Sequence, residues 1–177
     1  MAPGSFSRPT GLLPAAGLLL VADPARDAIV AVPLDGGPAH PWGASGLGVG
    51  LRAPVSLASA ADGSVLLVDA LNFRVVRLSP DGRWLGAFTV PAAAGGLPRP
   101  KGIAVDAAGR VYVSDAERDQ VLRFAADGAF EAALGASGAG PGRFLAPAGL
   151  AVAGDRLIVA DSQNRRVQTF AILGERS

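Results

Sequence analysis

Apolar residues in this chain come in short runs, and four of these runs end at an aspartate. The runs are Leu-Leu-Leu-Val-Ala, Val-Leu-Leu-Val, Val-Tyr-Val-Ser and Leu-Ile-Val-Ala. The aspartates that close the runs are separated by 46 residues each time: Asp23, Asp69, Asp115 and Asp161. A fixed period of this length is typical of propellers and solenoids.

Each period divides in the same way. A proline opens the repeat, an apolar first strand follows it, and a second strand ends at the periodic aspartate. A loop leads to a third strand, and an Asp-Gly pair, a strong hairpin signal, precedes a fourth segment. Four short strands of this kind make one propeller blade. The pattern predicts an all-β, single-domain β-propeller chain of four blades, at approximately 9–53, 54–99, 100–146 and 147–177.

Composition agrees with short strands joined by turns. Half of the 177 residues are apolar, which is enough for a sizeable core. The 24 glycines and 14 prolines interrupt the apolar runs, as expected of an all-β protein. The net charge of +1 gives no overall reason to expect nucleic acid. The absence of cysteine excludes disulfides, thiolate metal sites and a cysteine nucleophile.

The apolar segment 11–22 needs a separate interpretation, because it follows Arg8 and resembles the core of a signal peptide. It is too short to cross a bilayer as a helix. Pro14 and Gly17 interrupt it, and its second half is in register with three later strands. We interpret it as two strands of the first blade, which slightly favours the cytoplasm over a secreted or periplasmic location after processing.

The spacing of several short motifs resembles the NHL-repeat family of β-propellers over essentially the whole chain. The motifs are Pro-x-Gly-[Ile/Leu]-Ala-Val-Asp, Val-Tyr-Val-x-Asp and Asp-x-x-Asn-x-Arg-Val. The last occurs at 69–75 and 161–167, whereas the repeat at 115–121 departs from it and the one at 23–29 is weakest. The resemblance implies six blades, and only four are present.

The fourth repeat stops just after its third strand. Residues 4–9 align with residues 142–147, the loop that leads into a blade, so no closing strand is evident at that end either. Three structures fit: a small closed ring, an open arc completed by another chain, or part of a six-bladed protein. An open arc has an unpaired strand edge, which promotes association. We therefore expect another protein chain, or self-association, at the open blade edge.

The four periodic aspartates have two interpretations. They could form a ring of metal ligands. The stronger interpretation is structural, because an aspartate at a strand end accepts hydrogen bonds from the backbone of a tight loop. A residue repeated in every blade also serves the blade more often than a unique site.

Basic residues cluster by position in the repeat, beside the opening proline or after the periodic aspartate. In a propeller these two loops share a face, so arginine–aspartate ion pairs are the first interpretation. The alternative is a basic rim for a small anion, an acidic protein or RNA. Phe73 is the one aromatic in the loops after the second strands, which argues against single-stranded RNA. The candidate binding residues are Arg8, Arg52, Arg99, Lys101, Arg143, Arg118 and Arg165.

Enzymatic chemistry has little support in the sequence. The resemblance extends to propeller lyases and lactonases that hold a metal in the central channel. His40 is the only histidine, which excludes a multi-histidine zinc site within this chain. Asp106 and Glu117 are candidates for a calcium site. No catalytic set is found, and no cofactor or metal is predicted.

The preferred function is therefore a non-enzymatic protein–protein interaction or assembly module. A lactonase- or lyase-type enzyme with a channel metal is the first alternative. A binder of RNA or small anions through the basic face is the second.

Overall fold

The computed structural model describes residues 6–43 and 50–173. It divides into two compact units, Met1–Val90 (unit 1) and Pro91–Ser177 (unit 2). Each unit contains two antiparallel sheets, which are propeller blades. No helix in the described ranges is long and apolar enough to cross a membrane.

Unit 1 consists of blade 1 (β1–β4) and blade 2 (β5–β8), and in both sheets the strands pair in chain order. Blade 1 contains Gly11–Ala15, Leu18–Asp23, Ala28–Pro33 and His40–Trp42. Blade 2 contains Pro54–Ser59, Val65–Asp69, Arg74–Leu78 and Trp84–Phe88.

Unit 2 consists of blade 3 (β9–β12) and blade 4 (β13–β15). Blade 3 contains Pro100–Val105, Val111–Asp115, Gln120–Phe124 and Phe130–Leu134. Blade 4 contains Pro147–Ala153, Arg156–Asp161 and Arg166–Ala171. The prediction of an all-β chain made of four propeller blades is confirmed.

The two units follow the same plan, displaced by 92 residues. In blade 1, Ile29 pairs with Trp42 across β3 and β4. In blade 3, Val121 pairs with Leu134 across β11 and β12. The second-to-third-strand pairs match as well, since Leu20 lies opposite Ala31 and Tyr112 lies opposite Arg123. Equivalent positions of the second, third and fourth strands can therefore be compared between units by register. The pairing of the first strand is displaced by one residue, since Leu20 pairs with Leu13 whereas Tyr112 pairs with Ala104.

Each unit has its core at the interface between its two blades. In unit 1 this interface is formed by apolar side chains of β2–β4 and β5–β7, among them Leu20, Trp42, Leu67 and Leu78. In unit 2 the corresponding cluster is formed by Tyr112, Val121, Phe144, Leu157 and Val159. The alternation of strand side chains directs one row from each blade into the interface.

In each unit, the first strand of the first blade carries a glycine where it approaches the first strand of the next blade. A Cβ atom on Gly11 would lie 2.7 Å from the Val55 carbonyl oxygen, and one on Gly102 would lie 2.2 Å from that of Ala148. Such distances exclude any side chain. The glycine of the Pro-x-Gly motif at 100–102 is therefore required by the contact between blades.

One loop position adopts left-handed backbone geometry in all four blades. Its φ angles are 53° at Asp27, 55° at Phe73, 55° at Asp119 and 53° at Arg165. Aspartate tolerates this region better than most residues. In blades 1 and 3 the aspartate also accepts the backbone N–H of the next blade's entry loop, Ala53 for Asp27 at 2.7 Å and Ala146 for Asp119 at 2.8 Å.

Candidate functional site

The periodic aspartates connect the end of each second strand to the loop that enters the first strand. All four are fully buried. Their carboxylates accept backbone N–H groups from that entry loop at 2.7–2.9 Å, from Arg8 (Asp23), Arg52 (Asp69), Arg99 (Asp115) and Leu145 (Asp161). The residues beside the opening prolines thus reach the aspartates through their backbone.

In blades 2 and 4 a guanidinium group reaches the carboxylate from a different position, five residues after the aspartate. Arg74 Nε donates to Asp69 at 2.7 Å, and Arg166 Nε donates to Asp161 at 2.8 Å. Both arginines belong to the Asn-x-Arg-Val motif, so the motif carried a signal that position beside the proline did not. In blade 3, which lacks that arginine, Asp115 accepts the backbone N–H of Arg118.

The surroundings of two aspartates favour the ionised carboxylate. Burial is the largest influence on Asp23 and opposes ionisation, but the N–H groups of Ser7 and Arg8 and the charge of Arg26 outweigh it and lower its pKa. At Asp161 burial is again opposed, here by hydrogen bonds from Leu145 and the side chains of the same blade, and the net effect lowers the pKa. Both carboxylates therefore lie in environments typical of hydrogen-bond acceptors with a structural role.

The candidate basic residues differ in exposure and in their hydrogen-bond contacts. Arg8, Arg52 and Arg99 have exposed side chains and contact the aspartates only through N–H groups. Arg143 is exposed and donates to the Ser137 carbonyl at 2.9 Å.

The other three candidates differ in exposure and contacts. The Arg118 guanidinium donates to the carbonyls of Ala94 and Gly96 at 2.9 and 2.8 Å and so stabilises the loop that contains them. Lys101 is half-buried on β9, and Arg165 is exposed.

The residues considered as metal ligands either accept hydrogen bonds from other residues or are exposed on separate elements. Both oxygens of Asp106 accept hydrogen bonds, including those from Arg110 Nε at 2.7 Å and the Tyr112 hydroxyl at 3.0 Å. Glu117 is exposed in the loop after β10. His40 is exposed on β4. Over residues 6–43 and 50–173, no group of three His, Cys, Asp or Glu side chains is placed to hold a metal ion.

The outer edge of β15 is the side of the strand that faces away from β14. Ile172 donates its N–H to the Asp155 carbonyl at 2.7 Å, across the continuation of the β14–β15 ladder. Because paired residues alternate in an antiparallel ladder, Val167, Thr169 and Ala171 direct their backbone groups away from β14. The equivalents of Ala171 in blades 2 and 3, Ser79 and Ala125, donate at 2.8 Å to the turn before the fourth strand.

No strand within the described part of the chain pairs with this edge. The adjoining face of blade 4 is exposed as well. Val167 is 65% exposed, whereas its equivalent Val75 in blade 2 is fully buried. Further exposed small or apolar residues follow on the same face, namely Gly149, Ala151, Thr169 and Ala171. Among the described residues, blade 4 thus combines backbone groups that no strand pairs with and an apolar surface.

Comparison with protein families agrees with the blade architecture. Residues 101–175, less than half of the chain, match the DUF5128 family model, which is described as a 6-bladed beta-propeller. A search of curated proteins gives no match to this sequence.

Solved structures show the same fold at low sequence identity. A streptogramin B lyase is 16% identical with a TM-score of 0.70, over 94% of this chain and 55% of the lyase. A protein of unknown function from Bacteroides thetaiotaomicron is 15% identical with a TM-score of 0.72, over 92% of this chain and 47% of that one. The chain spans about half the length of these two proteins.

The computationally designed Ika4 protein is 14% identical with a TM-score of 0.64, and the match covers 97% of this chain and 96% of that one. At these identities the likeness concerns the fold. The family match and the structural matches agree with the propeller blades described above.

Proposed function

We propose that this chain is a non-enzymatic, NHL-type propeller module that binds an extended segment of a partner protein as the fourth strand of blade 4. The open edge of β15 carries the proposal. Adding a strand to an exposed sheet edge is a common mode of peptide recognition, in which backbone hydrogen bonds supply affinity and alternating side chains supply specificity. The NHL assignment is supported by the Asn-x-Arg-Val motifs and by the contacts of Arg74 and Arg166 with their aspartates.

The fourth strands already present define the chemistry of the incoming segment. In β12, Phe130, Ala132 and Leu134 are half-buried and alternate with exposed Glu131 and Ala133. Phe130 packs edge-to-face on Phe124 of β11, with ring centroids 5.8 Å apart. The partner segment is thus about five residues long, apolar at alternate positions and free of proline where it donates to β15.

The side chains beside the edge suit such a segment. Phe170 and Ile172 are half-buried and belong to the apolar cluster between blades 3 and 4. On the opposite face, Val167 is largely exposed. A partner that supplied the strand would also gain apolar contact on this face, in addition to the backbone hydrogen bonds.

The proposal can be tested with the chain's own fourth-strand sequence as the probe. A fluorescein-labelled peptide with the sequence of residues 83–89 is titrated with the protein, and its anisotropy is followed. Thr169→Pro removes an N–H that points away from β14, so the β14–β15 ladder keeps its hydrogen bonds. We expect saturable binding that weakens at least about tenfold in this variant, the equivalent of one or two lost backbone hydrogen bonds.

Thr169→Val is the matched control, because it changes the same side chain and retains the N–H. It is expected to bind like the parent protein, and circular dichroism checks the fold of both variants. Absence of saturable binding, or equal binding by the proline variant, would refute strand addition at β15. A stable dimer in sedimentation that Thr169→Pro dissociates would also overturn the proposed occupant, in favour of a second copy of the chain.

A further inference from the structure

A cavity of about 480 Å³ lies within unit 2, between blades 3 and 4. Most of its lining is apolar and includes Val121, Leu134, Phe144, Leu157, Phe170 and Ile172. Phe144 and Phe170 meet edge-to-face with ring centroids 5.7 Å apart, so part of the wall is aromatic. Small-molecule sites in proteins have volumes of about 300–1,000 Å³, and this cavity falls in that range.

Unit 1 shows what fills the same place when the interface is packed. Trp42 occupies the position equivalent to Leu134, and each pairs with the matching residue of the third strand. Trp42 is only 7% exposed and belongs to the core between blades 1 and 2. Replacing an indole by the smaller leucine removes apolar volume at the centre of the interface. The cavity in unit 2 is therefore at a position where the fold accommodates a large aromatic group.

Two further positions change from apolar to polar between the units. Leu20 and Ala31, both fully buried in unit 1, correspond to Tyr112 and Arg123 in unit 2. Tyr112 and Arg123 both line the cavity, together with Arg110. One end of an otherwise apolar cavity is thus built from a hydroxyl group and two guanidinium groups.

Two side chains at this polar end are held in place by hydrogen bonds to a residue that does not line the cavity. Arg110 Nε and the Tyr112 hydroxyl both donate to Asp106, which is 7% exposed. Burial, with the hydrogen bond to Asp106, raises the pKa of Tyr112 to about 12, so the hydroxyl keeps its proton. Arg110 also donates through Nη1 to the Leu173 carbonyl at 3.2 Å.

Arg123 has guanidinium nitrogens left to offer. Its Nε donates to Glu131 at 2.7 Å, and its side chain is 34% exposed. Within the residues that the structure describes, neither Nη1 nor Nη2 of Arg123 makes a hydrogen bond. The charged residues that line the cavity are both arginines, whereas their carboxylate partners lie outside the lining. The free corner of the guanidinium suits an acidic group, which it binds through charge-assisted hydrogen bonds.

We propose that the cavity between blades 3 and 4 binds a small molecule that has an aromatic body and one acidic group. The aromatic body occupies the volume that the Trp42 indole fills in unit 1. The acidic group lies at the polar end and accepts hydrogen bonds from Arg123. The cavity shares Phe170 and Ile172 with the side chains beside the β15 edge, and it adds a small-molecule ligand to the protein-binding role proposed above.

The first experiment titrates 1-naphthoate into the protein by isothermal calorimetry, with 1-naphthalenemethanol as the neutral counterpart. We expect one saturable site for the carboxylate. Arg123→Gln is expected to weaken naphthoate at least about tenfold, because a hydrogen bond to a charged group is lost. The neutral alcohol is expected to bind parent and variant equally, which separates the charge contribution from packing.

A second variant fills the cavity with the side chain that unit 1 uses. Leu134→Trp is expected to abolish naphthoate binding and to raise the midpoint of thermal unfolding. Leu12→Trp is the matched control, since Leu12 is 60% exposed in unit 1 and the same substitution there is expected to leave binding unchanged. If Leu134→Trp does not fold, the Arg123→Gln comparison still decides the question.

Two results would overturn the proposal. One is the absence of saturable heat with naphthoate at concentrations up to about 5 mM, where even a weak specific site would be filled. The other is equal affinity of naphthoate for the parent protein and for folded Leu134→Trp or Arg123→Gln.

Discussion

Unit 1 and unit 2 share the pairing register between second and third strands, and between the third and fourth strands of their first blades, but differ at the interface between their blades. Unit 1 places Leu20, Ala31 and Trp42 there, and all three are buried. Unit 2 places Tyr112, Arg123 and Leu134 at the same register positions, beside a cavity of about 480 Å³. A repeated backbone can therefore support a packed core in one unit and a polar-ended cavity in the next. These three positions are among those at which the two interfaces differ.

The largest expected effect comes from giving unit 1 the interface residue of unit 2. Trp42→Leu should lower the free energy of unfolding by about 2–3 kcal/mol, because it removes buried apolar volume and leaves a cavity. Trp84→Leu is the matched control, since Trp84 is 37% exposed and stacks on the Arg74 guanidinium at 5.3 Å. It should cost about 1 kcal/mol or less.

Denaturant unfolding measures both substitutions, and hydrogen exchange locates the change in unit 1. Equal losses for Trp42→Leu and Trp84→Leu would contradict the difference between a filled interface and a surface position.

The next effect concerns a contact that the two units share. Asp161→Asn should cost about 1.5–3 kcal/mol at pH 7, the usual value of a hydrogen bond to a charged group. The same substitution at Asp69 should cost about as much, because Asp69 also accepts an entry-loop N–H, an asparagine amide and an arginine Nε. Asp155→Asn, at an exposed position, should change stability by less than about 0.5 kcal/mol.

The cost at Asp161 should depend on pH. Since folding lowers the pKa of Asp161, its carboxylate stabilises the fold fully above the unfolded value of about 3.9, and this contribution is lost as the pH falls through the lower, folded value. The difference in unfolding free energy between the parent protein and Asp161→Asn should therefore narrow in acid. Denaturant titrations at several pH values from 7 downward measure it, and a constant difference would refute the interpretation.

The smallest effect tests the contact between blades at the left-handed loop position. Asp27→Ala in unit 1 and Asp119→Ala in unit 2 should each cost about 1 kcal/mol, because each leaves an entry-loop N–H without its acceptor. Phe73→Ala is the control at the same position of blade 2. This substitution keeps a non-glycine residue at a φ of 55° and removes no side-chain hydrogen bond. Thermal unfolding compares the three, and a loss at Phe73 as large as at Asp27 would contradict the role of the carboxylate.

Periodicity was sufficient to predict the blades. Strands in this protein alternate with turns at fixed spacing, so the runs that end at Asp23, Asp69, Asp115 and Asp161 located the second strands and, from them, the others. Arg26 and Arg166, which follow the periodic aspartate, form the expected ion pairs with Asp23 and Asp161. Position beside the opening proline did not predict how cations meet these aspartates. Arg52 and Arg99 were expected to offer guanidinium groups, but the entry loop approaches the carboxylate with its backbone, so their side chains point elsewhere.

The cavity could not be predicted from the pattern of apolar and polar residues. Trp42 and Leu134 are both apolar and both belong to a fourth strand, so the pattern treats them alike. Only the pairing of Ile29 with Trp42 and of Val121 with Leu134 shows that they occupy the same place. Arg123 lies between apolar neighbours on the third strand, and its contribution to a cavity depends on the packing of blade 4 against blade 3.

The aspartate contacts also bear on how such a chain folds. They join residues 15, 17, 16 and 16 positions apart in blades 1 to 4. Loops of this size close on a timescale of about a microsecond or less, far faster than a ribosome adds residues. Each blade can therefore secure its first two strands as it emerges during synthesis, without waiting for distant sequence. Arrays with different numbers of blades then need no new folding pathway, because each added blade brings its own local closure.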